Sequence, residues 1–375
     1  MAKRHKLSAL YRLSPAGHIV AAVSAVLIIL HLLTRGNRPL MVWASERLVQ
    51  PVHRALAALN SHLPFSVAEA LIGLAAAAVI AYIIYIVISM LRGGGRLKRL
   101  YAAVINLLAA GLAVYAGFCM LWGVYYYGDD FMTRSALENE NISVEQLEAV
   151  TRYFAERSNE YAEQVPRDED GNYIADRAAI LARSDEVYEN IERELPCLAG
   201  PAVRAKGVYF SRLMSYTDFT GFFFPFTAEA NVNTDFPPAL FASTVAHELA
   251  HQRGVAKEQE ANFVAVLASL AYGDTEYCYS ACLLAYTHLG NALYSADYEA
   301  WKSIYLSLSE DMRRDFAANR EYWAQFETPV QKVSNTVYEG FLYSYDQDMG
   351  LKSYGACVDL LVNYFYGQTA AASGN

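Results

Sequence analysis

Residues 247–254 of this 375-residue chain read His-Glu-Leu-Ala-His-Gln-Arg-Gly and contain the pattern His-Glu-x-x-His. Two histidines four positions apart on a helix lie about 40° apart around its axis and roughly 6 Å apart along it, so both imidazoles project from one face. This arrangement suits two adjacent corners of a tetrahedral Zn²⁺ site. Glu248 projects beside the metal, where it can act as a general base on a zinc-activated water. The stretch therefore predicts a metal site formed by His247 and His251.

The residues around this pattern predict that it lies on a helix of about four turns over 237–253. Apolar residues recur close to helical spacing at Leu240, Phe241, Val245 and Leu249. Pro237 and Pro238 provide a helix start, and Gly254 provides a stop.

A third protein ligand is required, and few residues are candidates. Beyond residue 128 the chain has only one further histidine, His288, which we expect to be an ordinary interior or surface residue. Lys257 stands six residues after the second histidine, where metzincins have their third, so that subclass is excluded. The next acidic residues, Glu258 and Glu260, open a predicted second helix after the Gly254 turn. The sequence leaves both carboxylates as candidates.

The first third of the chain has the composition of a membrane anchor. Three apolar segments are long enough to cross a bilayer, at about residues 17–34, 64–91 and 100–124. Thr34-Arg35 follows the first without a small-residue cleavage site, so it is not a removable signal peptide. We expect a lipid bilayer as partner.

The charge distribution divides the chain in two. Residues 1–128 carry 12 basic and 2 acidic side chains, whereas residues 129–375 carry 18 basic and 37 acidic ones. The N-terminal arm and the second loop carry eight basic residues, against four in the first loop. For a plasma-membrane protein, this difference favours a cytoplasmic N-terminus and places residues 129–375 outside the cytoplasm. The acidic region has no basic stripe, which argues against nucleic-acid partners.

The acidic region is predicted to be mainly α-helical, with a short edge strand or hairpin in residues 207–235, just before the metal helix. An extended peptide can add to such an edge by backbone pairing. Glu229 and Asn231 are the predicted lining of the resulting cleft. The run from Phe222 to Phe226 is equally compatible with membrane contact and with packing against the metal helix.

Several motifs resemble those of an uncharacterised bacterial membrane-protein family, domain of unknown function 3810. They are residues 247–254, the run Glu-x-Glu-Ala-Asn-Phe from Glu258, Pro-Phe-Thr-Ala-Glu-Ala-Asn at 225–231, Lys-Ser-Tyr-Gly at 352–355 and Val-Asp-Leu at 358–360. The resemblance covers the three-helix anchor and nearly all of the acidic region. It implies this architecture and a zincin-like site, without a substrate.

Glu-Ala-Asn at 260–262 also resembles the signature of gluzincin peptidases. This resemblance implies Glu260 as the third zinc ligand and Asn262 as its supporting residue. Gluzincins stabilise the oxyanion with a late His, Tyr or Arg, which points to Tyr338 or Tyr354 here.

The sequence thus predicts a membrane-anchored zinc metallopeptidase that hydrolyses a peptide or protein outside the membrane. Two other interpretations stay open: a membrane sensor or signalling protein that uses a zincin-like site without turnover, and a scaffold whose zinc joins two helices. Retention of Glu248 favours catalysis, because a purely structural zinc site does not need it. The sequence makes no prediction of oligomeric state.

Overall fold

A computed structural model describes residues 11–92, 94–137, 141–344 and 355–372. The chain forms two compact units. Unit 1 contains the chain up to Val52, then Val67–Gly128 and Pro225–Thr227. Unit 2 contains His53–Ser66, Asp129–Phe224 and the chain from Ala228 onward. The division thus differs from a single cut at residue 128, since part of the first loop belongs to unit 2 and a three-residue turn belongs to unit 1.

The helices of the first 128 residues are α1 (Pro15–Thr34), α2 (Arg38–Ala44), α3 (Gln50–Asn60), α4 (Val67–Leu91) and α5 (Arg96–Leu121). Among the described residues, α1, α4 and α5 are the three helices long and apolar enough to cross a membrane. This confirms the three predicted spans, with ends displaced by a few residues. In unit 1, α1 packs against α5, where His18 Nε2 lies 2.9 Å from the Tyr101 hydroxyl.

Unit 2 is mainly helical, as predicted. Its further helices are α6 (Phe131–Ser135), α7 (Val144–Ala162), α8 (Arg177–Ala182), α9 (Ile191–Glu194), α10 (Ser211–Ser215), α11 (Phe241–Gln252), α12 (Glu258–Tyr272), α13 (Thr275–Ala296), α14 (Tyr298–Leu306), α15 (Glu310–Ala324), α16 (Pro329–Ser344) and α17 (Gly355–Ala372). The core is built on α13, which packs against α7 and α12. Phe154, Phe263 and Leu289 are completely buried in it.

A small sheet precedes the metal helix, as the sequence predicts. Its strands are β1 (Lys206–Val208), β2 (Gly221–Phe224) and β3 (Glu229–Asn233). In the part of the chain that the structure describes, they form one sheet with β3 at its centre, parallel to β1 and antiparallel to β2. Helix α11 packs on β3 and β2, so that the outer strand β2 lies beside the helix that carries the two histidines.

Helix α11 begins at Phe241, after a single 3₁₀ turn at Pro238–Leu240, and ends at Gln252. Gly254 follows with φ 78°, a left-handed conformation that glycine adopts without steric cost. This turn reverses the chain and lets α12 run back against α11. Two helices joined in this way bring the first turn of α12 to the face that carries the histidines.

Candidate metal centre

The two histidines of α11 face each other across one turn of the helix. Their ring centroids lie 4.7 Å apart and the rings are nearly perpendicular. His251 is buried and His247 is partly buried. Completely buried Val245 and Leu249 hold the opposite side of α11 in the core. The amphipathic pattern of the sequence therefore presents both imidazoles on the side away from the core packing.

Glu258 is the carboxylate that joins them. Its Oε2 lies 3.1 Å from His247 Nε2 and 3.6 Å from His251 Nε2. One ligand atom from each of His247, His251 and Glu258 lies within 4.8 Å of the others. These three described residues, here called the metal group, could hold a metal ion.

Hydrogen bonds on the far side of each ring fix the direction of the two histidines. His251 Nδ1 lies 2.7 Å from the carbonyl oxygen of Val255, which can only accept, so Nδ1 carries the proton. His247 Nδ1 lies 2.8 Å from Asn262 Oδ1. In neutral rings held this way, both Nε2 atoms present lone pairs toward Glu258. Three acceptors then face one another, and a cation between them satisfies all three.

The pKa shifts of Glu258 and His251 show that the negative form of the carboxylate and the positive form of the imidazole stabilise each other. Burial by itself would raise the pKa of Glu258, but the two histidines hold that pKa well below its ordinary value. Burial lowers the pKa of His251, and Glu258 outweighs this effect, bringing the pKa to about 9.

Glu260, which resemblance to gluzincins implies as the third ligand, does not belong to the group of His247, His251 and Glu258. Its side chain is buried, and it accepts hydrogen bonds from the backbone N–H groups of Phe131, at 2.9 Å, and Met132, at 3.3 Å. These N–H groups begin helix α6 and have no partner within that helix. Glu260 therefore caps α6 on the side of α12 away from the histidines.

Helix geometry explains why Glu258, and not Glu260, faces the two histidines. Glu258 and Asn262 are four residues apart and share a face of α12, whereas Glu260 lies about 200° around the axis from Glu258. Asn262 contacts His247, as predicted for a supporting residue. A ligand at Glu260 and a supporting residue at Asn262 could not have faced the same site. The i, i+4 spacing was the signal in the sequence that favoured Glu258.

Glu248 lies beside this group and is 4% exposed. Its Oε2 has no hydrogen-bond partner among the described residues. Burial raises the pKa of this carboxyl to about 7, against a smaller opposite effect of the neighbouring histidines. A buried carboxylate with an oxygen left for another donor is what a general base for a water molecule requires.

A cavity of about 340 Å³ opens on these residues. Thr220 and Gly221 of the β2 region line one wall, and Tyr338 of α16 lines another. The Tyr338 hydroxyl donates to Glu258 Oε1 at 2.8 Å, so it contacts the carboxylate of the metal group. His288 also lines the cavity, which the sequence did not indicate, and burial lowers its pKa to about 4. Tyr354, the other predicted oxyanion donor, lies outside the described residues.

Glu229 and Asn231, the predicted cleft residues, do not line this cavity. Both lie on the central strand β3, where both side chains are buried. Glu229 binds the Lys206 ammonium at 2.6 Å, and Asn231 Oδ1 accepts from the Ser66 hydroxyl at 2.6 Å. Both polar side chains therefore bind residues from other chain segments inside unit 2.

Gly221 forms the closest wall beside Glu248, which gives a first prediction. A Cβ atom at residue 221 would lie 2.5 Å from Glu248 Oε1, closer than real contacts allow. We expect Gly221→Ala to displace Glu248 and to lower any Glu248-dependent hydrolysis about 100-fold, the cost of roughly 1 Å of misplacement. Gly367→Ala is the matched control, because a Cβ atom there meets nothing within 4 Å. Equal turnover numbers for the two variants would contradict the close approach.

In a comparison with protein-family models, a family described as "Protein of unknown function (DUF3810)" matches residues 45–362. The match includes α4, α5 and every residue of the metal group. No curated protein matches the chain, and no solved structure does.

Proposed function

We propose that this chain, which belongs to the DUF3810 family, is a membrane-anchored zinc metallopeptidase. One observation carries the proposal: the convergence of His247, His251 and Glu258 beside the buried carboxylate of Glu248. A structural zinc site needs the ligands alone, whereas this one adds a base and a cavity. The alternatives of a sensor or a scaffold give no role to the buried Glu248 Oε2, which lacks a hydrogen-bond partner among the described residues.

Zinc fits the donor set. Two imidazole nitrogens and one carboxylate oxygen are the ligands of His₂Glu catalytic zinc sites, which keep one coordination position for other molecules. Asn262 and the Val255 carbonyl orient the imidazoles, as groups behind zinc ligands commonly do. When bound, zinc supplies positive charge that polarises a carbonyl group and acidifies water.

Glu248 and Tyr338 then have separate roles in peptide hydrolysis. Glu248 takes a proton from the attacking water and delivers it to the leaving amine, and a pKa raised by burial toward neutrality suits both transfers. Tyr338 lines the cavity and donates its one hydroxyl proton to Glu258; when that hydroxyl turns from Glu258 toward a substrate, it becomes a donor to the oxyanion.

The outer strand β2 supports a peptide as the substrate class. Gly221 lines the cavity next to Glu248, and β2 pairs with β3 on one side only in the described sheet. A substrate in extended conformation can pair with the other side, which brings its backbone past the metal group. The small side chain at residue 221 leaves room for this approach.

Charge and connectivity support an orientation in the plasma membrane with unit 2 outside the cytoplasm. Eight basic residues in the N-terminal arm and second loop favour those segments in the cytoplasm. The chain crosses twice between the first loop and residue 129, so both lie on the extracytoplasmic side. In unit 2, Lys206 donates to the carbonyls of Asn60 and Phe65 in that loop, which supports a common side for the two segments.

Metal removal tests the proposal. We expect the purified full chain to contain one zinc ion, to hydrolyse members of an unstructured peptide library, and to lose both zinc and hydrolysis after dialysis against a chelator. Zinc added back should restore turnover, measured by mass spectrometry of the peptides. Bound zinc without any hydrolysis would favour the sensor or scaffold, and absence of zinc would refute all three functions.

A further inference from the structure

Helix α10 in unit 2 buries its two serines, while most of the apolar and aromatic side chains on it and next to its ends are exposed. Ser211 and Ser215 are buried, whereas Tyr209 is 85% exposed, Phe210 58% and Leu213 64%. Tyr216, at the end of the helix, is also exposed. A surface helix in water shows the opposite arrangement. Apart from Arg212, the exposed side chains between Tyr209 and Tyr216 are apolar or aromatic.

Both buried serines are hydrogen-bonded to neighbouring segments, and these bonds fix the orientation of α10. Ser211 Oγ donates to the Val208 carbonyl and accepts from the backbone N–H of Thr234 at 2.8 Å. Ser215 Oγ accepts from Asn233 Nδ2 at 2.9 Å and lies 2.6 Å from the Tyr322 hydroxyl. These bonds hold the helix on β3 and fix which side faces outward.

We infer that residues 209–216, here called the interfacial segment, insert their apolar side chains into the bilayer leaflet next to unit 2. Tyrosine and other aromatic residues favour the membrane–water interface, where the ring meets the lipid chains and the hydroxyl meets the headgroups. Leu213 and Phe210 add the apolar area that a short interfacial helix buries in lipid. This surface is distinct from the three spans and does not depend on the peptidase proposal.

Connectivity brings the interfacial segment close to the bilayer. Lys206, at the start of β1, binds the carbonyl oxygen of Phe65 at 2.9 Å. Phe65 is itself 53% exposed and stands two residues before α4, a helix whose one charged residue is Glu69 in its first turn. Tyr209 follows Lys206 by only three residues, at most about 10 Å of extended chain. The apolar side chains therefore lie near the point where the chain enters the membrane.

The local charge also fits a lipid surface. Residues 201–216 contain Arg204, Lys206 and Arg212 and no acidic residue, within a region that carries 37 acidic side chains. Arg204 and Arg212 are more than half exposed, and each pairs with one aspartate. Basic side chains beside an apolar segment are attracted to anionic headgroups.

Spin-label accessibility in lipid vesicles tests this inference. The full chain with Cys197→Ser, which removes the only cysteine that is not buried, receives a nitroxide at Phe210→Cys or, independently, at Leu213→Cys. After reconstitution into vesicles of phosphatidylcholine and phosphatidylglycerol, collision rates with oxygen and with a water-soluble nickel chelate report the depth of each label. Leu74→Cys on α4 and Leu306→Cys on α14, both highly exposed, are the lipid and water references.

We expect the oxygen-to-nickel collision ratio at Phe210 and at Leu213 to lie above that at Leu306 and below that at Leu74. A ratio at both positions equal to that at Leu306 would place the segment in water and overturn the inference. Low collision rates with both reagents would also overturn it, because a second copy or another protein would then cover the surface. No measurement of hydrolysis enters the test, so its failure leaves the peptidase proposal untouched.

Discussion

Glu248→Gln should lower peptide hydrolysis by about 10²–10⁴-fold while the protein keeps its zinc, because the substitution removes the proton acceptor and leaves His247, His251 and Glu258 in place. Turnover is measured with the best peptide from the library, and zinc is measured by elemental analysis of the same sample. Glutamine has nearly the shape of glutamate, so the buried side chain still fits. Retained turnover would show that another group is the base.

A second measurement on the same variant separates a catalytic role from a structural one. In the metal-free protein, burial raises the pKa of Glu248 from 4.5 to about 7, so the folded state favours the protonated acid. Ionisation above pH 7 therefore costs folding free energy, and below pH 4.5 this cost disappears. We expect metal-free Glu248→Gln to melt at a higher temperature than wild type at pH 8 and at nearly the same temperature at pH 4. A variant that is inactive and less stable at both pH values would indicate a structural role.

Glu258→Gln and Glu260→Gln should have opposite effects, which decides the identity of the third ligand. Glu258→Gln replaces the carboxylate that faces both imidazoles, and we expect zinc affinity to fall by more than about 100-fold, the upper range for residues behind a ligand. Zinc affinity is measured by competition with a chromophoric chelator. Hydrolysis at limiting zinc should fall in parallel.

Glu260→Gln is the matched control, two residues away and with the same change of charge. We expect its zinc affinity to stay within a few-fold of wild type. The free energy of unfolding should fall by about 1–3 kcal/mol, because the N–H groups of Phe131 and Met132 lose part of their buried acceptor. The reverse outcome, with zinc lost in Glu260→Gln and retained in Glu258→Gln, would restore the ligand set that resemblance to gluzincins implies.

The elements that the sequence predicts well are those whose physics is local. Three uniformly apolar segments of bilayer length form three helices. Length and composition alone determine whether such a segment is suited to the interior of a membrane. The His-Glu-x-x-His spacing determines that both imidazoles share a face of α11. Gly254 ends that helix because only glycine enters the left-handed turn freely.

The predicted site residues that the structure places elsewhere depend on distant segments. Which carboxylate of α12 meets the histidines is set by the rotation of that helix, and α6, some 130 residues earlier, takes Glu260 as its cap. Glu229 and Asn231 have the polar character of cleft residues, yet β3 is a central strand whose side chains meet Lys206 and Ser66. Tyr338 reaches Glu258 across 80 residues of sequence.

By itself, then, the sequence determined the three apolar helices, the helix with its two histidines and the position of Glu248 beside them, because each follows from spacing and composition within a few turns of chain. The tertiary structure decided the third carboxylate, the walls of the cavity and the outward face of α10. These depend on which buried polar groups find partners, and each partner comes from a segment far away in the sequence.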